Sequence, residues 1–198
     1  MSSSKKSQKA ASTGKSARKT ARVLKSRVVY RAPVFYVTSN TVKEPTGVTT
    51  RRDIIHHPGS VVVLAVDETG AEPQVLLERQ FRYAAGKFLW ELPAGSRDPG
   101  ETTLEGAKRE LLEETGYTAR NWKRILHFYS SPGFLAETMS IYLARDLSRG
   151  TASPEEDEVI ETRMFPLSEL EKKVFQGKIE DAKTIAAVLW LVAWRNGA

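Results

Sequence analysis

The chain of 198 residues has no cysteine and no long hydrophobic run. Without cysteine it can form no disulfide, no cysteine-ligated zinc site and no thiol nucleophile, which is consistent with a reducing compartment. The most apolar stretch, Ile185 to Trp194, is about half of the roughly twenty residues that cross a bilayer, and no apolar region follows the first basic residues. We therefore expect a cytoplasmic protein that does not contact a membrane.

Acidic residues are absent from the first 31 positions, where ten Lys and Arg residues lie. Residues 32–198 carry twenty Lys and Arg against twenty-four Asp and Glu, so the formal charge of +6 combines a +10 tail with a −4 body. Residues 1–26 consist mainly of Ser, Lys, Ala, Arg and Thr and cannot bury enough apolar surface to offset their ordering entropy. We predict a disordered basic tail, compatible with a nucleic-acid-binding arm, an organellar presequence or a solubilising extension.

Alternating and apolar segments predict a mixed α/β protein. Residues 27–57 are typical of a small antiparallel β region, and residues 58–198 form the main domain. Main-domain strands are predicted at residues 61–66, 74–79, 87–92, 125–130, 139–143 and 159–165, and helices at 103–115, 168–176 and 181–195. Strands interleaved with two or three helices indicate an α/β sandwich in which helices cover a mixed sheet.

Residues 95–117 run from a loop into the first predicted helix and contain clustered acids. Glu110, Glu113 and Glu114 are spaced i, i+3 and i+4 and therefore share one helical face. Their mutual repulsion would be relieved by a hard divalent cation such as Mg²⁺, which prefers carboxylate oxygens. Arg109 can pair with a carboxylate and fix its orientation. By charge pattern alone, a solvated helix face is the more usual interpretation.

The order of residues in this segment favours the metal interpretation. A glycine, five residues, a glutamate, seven residues, then Arg-Glu-Leu-x-Glu-Glu-x-Gly and a bulky apolar residue resembles the Nudix box at every defining position. The resemblance to the Nudix hydrolases implies a Nudix-type α/β/α sandwich and Mg²⁺-assisted attack of water on a pyrophosphate. It also implies that Mg²⁺, with Mn²⁺ as the alternative, is bound by Ala94, Glu110 and Glu114, and that Arg109 assists catalysis.

Segments outside the box resemble the ADP-ribose pyrophosphatase subgroup. These segments are Arg52–Gly59, Glu78–Tyr83, Trp90–Gly95, Asp181–Thr184 and the loop around Pro132, sixteen residues past Gly116. The resemblance covers about residues 27–195 and implies hydrolysis of ADP-ribose to AMP and ribose 5-phosphate. The alternatives are another nucleotide sugar such as GDP-mannose, a dinucleotide, or a non-hydrolytic ADP-ribose-sensing regulator.

The same match implies a set of substrate-binding residues. Arginine suits phosphate oxygens, a tight Ser-Pro-Gly loop brings backbone close to a ligand, and a carboxylate accepts hydrogen bonds from ribose hydroxyls. The residues implied are Arg52, Arg82, Ser131, Pro132, Gly133 and Glu137.

The catalytic base is expected in an acidic loop rather than in the box, because metal-bound carboxylates are poorly placed to deprotonate water. Residues 153–158 precede the last predicted strand, and in the ADP-ribose pyrophosphatases the loop at this place supplies a glutamate base. Alignment by position indicates Glu156 as the base and Glu158 as an additional metal ligand. Glu155 in the loop and Glu113 in the box are the alternative bases.

The expected partners are a small nucleotide sugar and a second copy of the chain. The family resemblance implies a homodimer in which residues of about 27–57 are exchanged between subunits to complete each adenosine site. No helix-turn-helix or aromatic RNA-binding motif is evident, so nucleic-acid contact rests on the basic tail alone.

Overall fold

A computed structural model describes residues 20–153 and 159–197. The elements in chain order are β1 (Arg22–Arg31), β2 (Tyr36–Lys43), β3 (Thr49–His56), β4 (Ser60–Asp67), β5 (Gln74–Arg82), β6 (Lys87–Glu91), β7 (Ala94–Ser96), α1 (Thr103–Thr115), β8 (Tyr117–Tyr129), β9 (Thr138–Arg149), β10 (Glu161–Pro166), α2 (Leu167–Phe175) and α3 (Ala182–Arg195). No helix among these residues is long and apolar enough to span a bilayer.

The first three strands form a separate antiparallel sheet in the order β1-β2-β3. This sheet confirms the small β region expected near the N-terminus, but β1 begins earlier than the sequence suggested. Residues 22–26, which we assigned to the disordered tail, pair with β2 from Arg22 opposite Lys43 to Ser26 opposite Asn40. That part of the tail prediction is wrong because backbone hydrogen bonding can order a segment whose side chains bury little area. Residues 1–19 lie outside the described part of the chain.

The main sheet has the strand order β10-β5-β4-β9-β8, with β6 paired to β5 and β7 paired to β4. The β4–β9 pair is parallel and the other pairs are antiparallel, which confirms a mixed sheet. Central strand β4 is buried on both faces: alternate residues pack with α2 and α3 or with α1. Its continuous Val61–Val66 run is therefore explained by a helical layer on each side, and the α/β/α sandwich is confirmed.

Helices α1 and α3 lie close to their predicted bounds because their end signals are local. In α1, Thr102 and Glu105 form a capping box, and Gly116 ends the helix in the left-handed conformation with φ of 72°. Asp181 caps α3 as expected. Strand β8 is much longer than the predicted 125–130, since its first half is polar and partly exposed and is recognisable only by its pairing with β9.

Candidate active site

Helix α1 presents its carboxylates to one side because its other side is buried against the sheet. Ala107 and Leu111 are fully buried and pack with alternate residues of β4. The left-handed turn at Gly116 lets the chain pass close to residues 150–152: an added Cβ would lie 2.6 Å from the Ala152 nitrogen. The packing and the turn together fix the direction of the acidic face.

A cavity of about 570 Å³ lies beside this face. It brings together side chains from β4, β5, β7, α1, α3 and the segment before β9. The sequence-predicted residues that line it are Arg82, Ala94, Arg109, Glu110, Glu113, Glu114 and Glu137, and they are joined by Val34, His57, Ser60, Gly95, Ser96, Asp98, Met139 and Lys183. Most of the predicted site is therefore gathered in one place by a single chain.

Arg109 joins the two ends of the box. Its Nε and Nη2 donate to the two oxygens of Glu101 at 3.0 and 3.2 Å, and Nη2 also donates to the Ser96 carbonyl at 3.1 Å. Its Nη1 lies 3.0 Å from Glu113 Oε2 and 2.9 Å from Glu110 Oε1. Hydrogen bonds from Arg109 lower the pKa of Glu101. The carboxylates of Glu101, Glu113 and Glu110 in turn raise the pKa of Arg109. The geometry is that of a positioning residue, which holds the carboxylates in place.

Glu110 and Glu114 are largely buried at the floor of the cavity. The Ala94 backbone nitrogen donates to Glu114 Oε2 at 3.1 Å, so strand β7 and the helix meet at this carboxylate. At Gly95 an added Cβ would lie 2.0 Å from Glu110 Oε1, which explains why the box needs glycine there. Backbone and carboxylates are thus in close contact at the predicted metal site.

The donor set suits a hard cation. Mg²⁺ keeps several waters and is commonly bound by one or two carboxylates, and Glu110 and Glu114 supply two. Within residues 20–153 and 159–197, no group of three or more His, Cys, Asp or Glu side chains is arranged to hold a metal ion. Glu158, the additional ligand expected from the sequence, lies outside these residues, as do the candidate bases Glu155 and Glu156.

Glu137, which also lines the cavity, is held by hydrogen bonds to both of its carboxylate oxygens. Ser60 Oγ donates to its Oε1 at 2.6 Å, and Ser130 Oγ donates to its Oε2 at 2.8 Å. His57 Nδ1 lies 3.7 Å from the same Oε1. The carboxylate is therefore pre-oriented, a property that suits a ligand-contacting group.

Arg52 and the Ser131-Pro132-Gly133 loop are not among the described residues that line this cavity. Arg52 is exposed on β3 and its Nη2 donates to Glu44 Oε1 at 2.9 Å. The loop leads into a segment tied to β3, since Ile55 N donates to the Phe134 carbonyl at 2.8 Å. In one chain these predicted substrate-binding groups are associated with the N-terminal sheet.

Sequence reasoning missed three buried ionisable residues near Arg82. Glu91 accepts from Arg82 Nε at 2.7 Å and from Nη2 at 3.0 Å, and it also accepts from the Lys183 ammonium. Glu78 is fully buried; burial and then neighbouring Glu91 raise its pKa to about 8. The sequence did carry a signal, since each of these residues is a charged residue within an otherwise apolar strand or helix pattern. Charged residues are rarely buried without a partner, so such positions predict a buried ion pair.

The family follows from these features and from comparison with known proteins. The NUDIX domain family model matches residues 56–188, which include α1, the cavity floor and Lys183. The chain belongs to the Nudix family and is a pyrophosphohydrolase.

Several characterised proteins are similar to this chain. The ADP-ribose pyrophosphatase of Bacillus subtilis (strain 168) is 39% identical over 76% of this chain and 80% of its own length. The methanol dehydrogenase activator of Bacillus methanolicus is 33% identical over 86% and 91%, and the ADP-ribose pyrophosphatase of Mycobacterium tuberculosis (strain ATCC 25618 / H37Rv) is 33% identical over 88% and 84%. The crystal structure of an ADP compounds hydrolase matches with a TM-score of 0.79 over 92% of this chain and 97% of that chain. Since its identity is 22%, that likeness shows the fold alone.

Proposed function

We propose that the chain hydrolyses the pyrophosphate of ADP-ribose to AMP and ribose 5-phosphate with Mg²⁺. The observation that carries the proposal is the single cavity that the box glutamates of α1 line together with Arg82 and Glu137. The names of the ADP-ribose pyrophosphatases of Bacillus subtilis and Mycobacterium tuberculosis, to which the chain is similar, support this substrate. The activator's name describes a regulatory effect and specifies no substrate.

The charges of the cavity support a role for a metal. Its described lining carries five carboxylates, Asp98, Glu110, Glu113, Glu114 and Glu137, against the basic side chains Arg82, Arg109 and Lys183. A dianionic pyrophosphate would be repelled from the α1 side of such a site. A divalent cation bound there supplies neutralisation of the phosphate charge and a lower pKa for a coordinated water. Removal of divalent cations with EDTA should therefore abolish turnover, and Mg²⁺ should restore it.

Each predicted residue then has a separate task. Glu110, Glu114 and the Ala94 carbonyl bind the cation, with Glu158 as a further ligand, while Arg109 holds the box carboxylates in position. Arg82 binds a phosphate of the substrate, and Glu137 accepts hydrogen bonds from ribose hydroxyls. Glu156 accepts the proton of the attacking water, which is the task of a general base.

We place the adenosine site between two copies of the chain. Strand β1 is exposed along its whole length and carries Val23, Leu24, Val28, Val29 and Tyr30, an unusual apolar surface for a monomer. Arg52 on the same sheet does not line the cavity of its own chain. Both facts support a homodimer in which the 27–57 region helps to complete the partner's site and Arg52 acts across the interface, while Val34 and His57 of this region line the cavity of their own chain.

Mixed dimers test this arrangement. Arg52→Ala and Glu110→Gln should each be weakly active alone, and co-refolding them should restore part of the activity. Restoration is expected because one site of the mixed dimer then contains both wild-type residues. No gain on mixing, with dimers present by light scattering, would show that Arg52 acts within its own chain.

A substrate panel tests the reaction itself. We expect the highest kcat/KM for ADP-ribose among ADP-ribose, GDP-mannose and dinucleotides, with AMP and ribose 5-phosphate as products. Glu110→Gln should lower turnover by more than about 100-fold. Glu105→Gln is the matched control on the same helix, because glutamine preserves the capping box. A preference for GDP-mannose, or binding without turnover, would refute the proposal.

A further inference from the structure

Lys183 is a buried lysine at the edge of the cavity. It lies in the first turn of α3, a helix that is otherwise almost entirely apolar, and is only 7% exposed. Its ammonium donates to Glu91 Oε2 and, at 3.1 Å, to Asp181 Oδ1. A buried ammonium is costly unless it is paired, so this lysine has a specific reason to be there.

Glu91 links Lys183 to Arg82. The Glu91 side chain is 2% exposed and receives the Nε and Nη2 edge of the Arg82 guanidinium in a bidentate pair. Burial by itself would raise the pKa of Glu91, but the hydrogen bonds from Arg82 and the charge of Lys183 lower it. The carboxylate therefore stays ionised between two cations, both of which line the cavity.

The first turn of α3 is also tied to Leu92, the residue that follows Glu91. Asp181 accepts from Thr184 N at 3.0 Å and from Thr184 Oγ1 at 2.6 Å. The Thr184 hydroxyl in turn accepts from Leu92 N at 2.8 Å, and Thr184 is fully buried. Lys183 thus stands on a rigid support, and its reach to Glu91 is set by the helix cap.

We infer that Lys183 is a positioning residue that acts through Glu91 to aim Arg82 at the substrate's pyrophosphate. Without Lys183, Glu91 Oε2 loses one of its two cationic donors in a buried setting and keeps only Arg82 Nη2, so the carboxylate can rotate towards other donors. The bidentate pair then no longer fixes the plane of the Arg82 guanidinium, and phosphate binding weakens. This inference rests on the proposed function, in which Arg82 binds a phosphate.

A double-mutant cycle with the Mg²⁺-loaded enzyme tests it. We expect Lys183→Met to raise KM for ADP-ribose about tenfold, equivalent to about 1.4 kcal/mol, with kcat changed less than about threefold. In an Arg82→Met background, Lys183→Met should add less than about twofold, since its effect passes through Arg82. Equal effects in both backgrounds would show direct contact with the substrate and overturn the inference, as would an unchanged KM or a loss confined to kcat.

Two further variants separate positioning from folding. Lys183→Arg keeps a cation beside Glu91 and should recover most of the affinity, whereas a general packing defect would not be rescued. Glu91→Gln tests the same link from its centre and should raise KM by a similar factor; an unchanged KM there overturns the inference. Lys173→Met is the control, because Lys173 pairs with Glu169 on α2, away from the cavity.

The proposed substrate can fail separately from this inference. If the wild-type enzyme prefers another nucleoside diphosphate derivative, the proposed function is refuted, and the same cycle is run on that derivative. Non-additive KM effects on it would still support the role of Lys183. Additive effects would overturn that role whatever the substrate.

Discussion

Gly95→Ala tests whether the backbone of β7 sets the position of the Glu110 carboxylate. An alanine Cβ at this position would lie 2.0 Å from Glu110 Oε1, 2.3 Å from Cδ and 2.5 Å from Oε2. Cβ contacts below 3.0 Å essentially never occur, so the carboxylate must retreat by about 1 Å or more. Gly95 is not among the glycines with positive φ, so alanine strains no backbone there.

The expected loss is catalytic rather than structural. A misplacement of about 1 Å at a reacting site costs on the order of 100-fold in rate, so we expect kcat/KM to fall by about that factor. The carboxylate is the far end of a flexible side chain and can move, and alanine reduces the entropy of the unfolded chain. The free energy of unfolding should therefore change by less than about 1 kcal/mol.

Three measurements on Gly95→Ala decide the matter: steady-state kinetics with Mg²⁺, calorimetric titration of Mg²⁺, and urea unfolding. Gly70→Ala is the matched control, because its Cβ would meet only Glu72 O at 3.7 Å and its φ is not positive. The control should behave as wild type in all three. Wild-type kcat/KM and Mg²⁺ affinity in Gly95→Ala would refute the reasoning, since Glu110 could then move without consequence.

Three further predictions concern the base, a buried acid and the tail. Glu156→Gln should reduce kcat far more than Glu155→Gln or Glu113→Gln; a loss confined to Glu113→Gln would return the base to the box. In metal-free protein, burial raises the pKa of Glu78 from an ordinary 4.5 to about 8. Between pH 4.5 and pH 8, the folded state therefore holds a proton on Glu78 that the unfolded state has lost. Stability should fall as pH rises through this range, by on the order of 1 kcal/mol per pH unit, and Glu78→Gln should remove the slope. Parallel urea midpoints for the two proteins from pH 5 to 8 would contradict this. Deletion of residues 1–19 should leave kcat and KM unchanged, because the described residues that line the cavity begin at Val34; a changed KM would assign the tail to the site.

Helix α1 shows how much of the site could be predicted from local sequence. Its start is signalled by a capping box, its end by a glycine, and its acidic face by the i, i+3, i+4 spacing, all within one segment. Neighbouring residues determine these features, so the predicted bounds of 103–115 are confirmed. Strand β8 shows the opposite case, because its polar first half has no apolar period and is held by pairing with β9.

The sequence by itself determined the acidic face and the glycine beside it, since those depend on spacing within 23 residues, and the resemblance of the same residues to the Nudix box indicated the reaction class. Only the tertiary structure decided which distant groups share the cavity. Ser60 reaches Glu137 across 77 positions, and Lys183 reaches Glu91 across 92. Such contacts depend on strand order and helix placement, which follow from the burial of the whole core rather than from any local pattern. The positioning of Arg82 by Glu91 and Lys183 was therefore visible only in the folded chain.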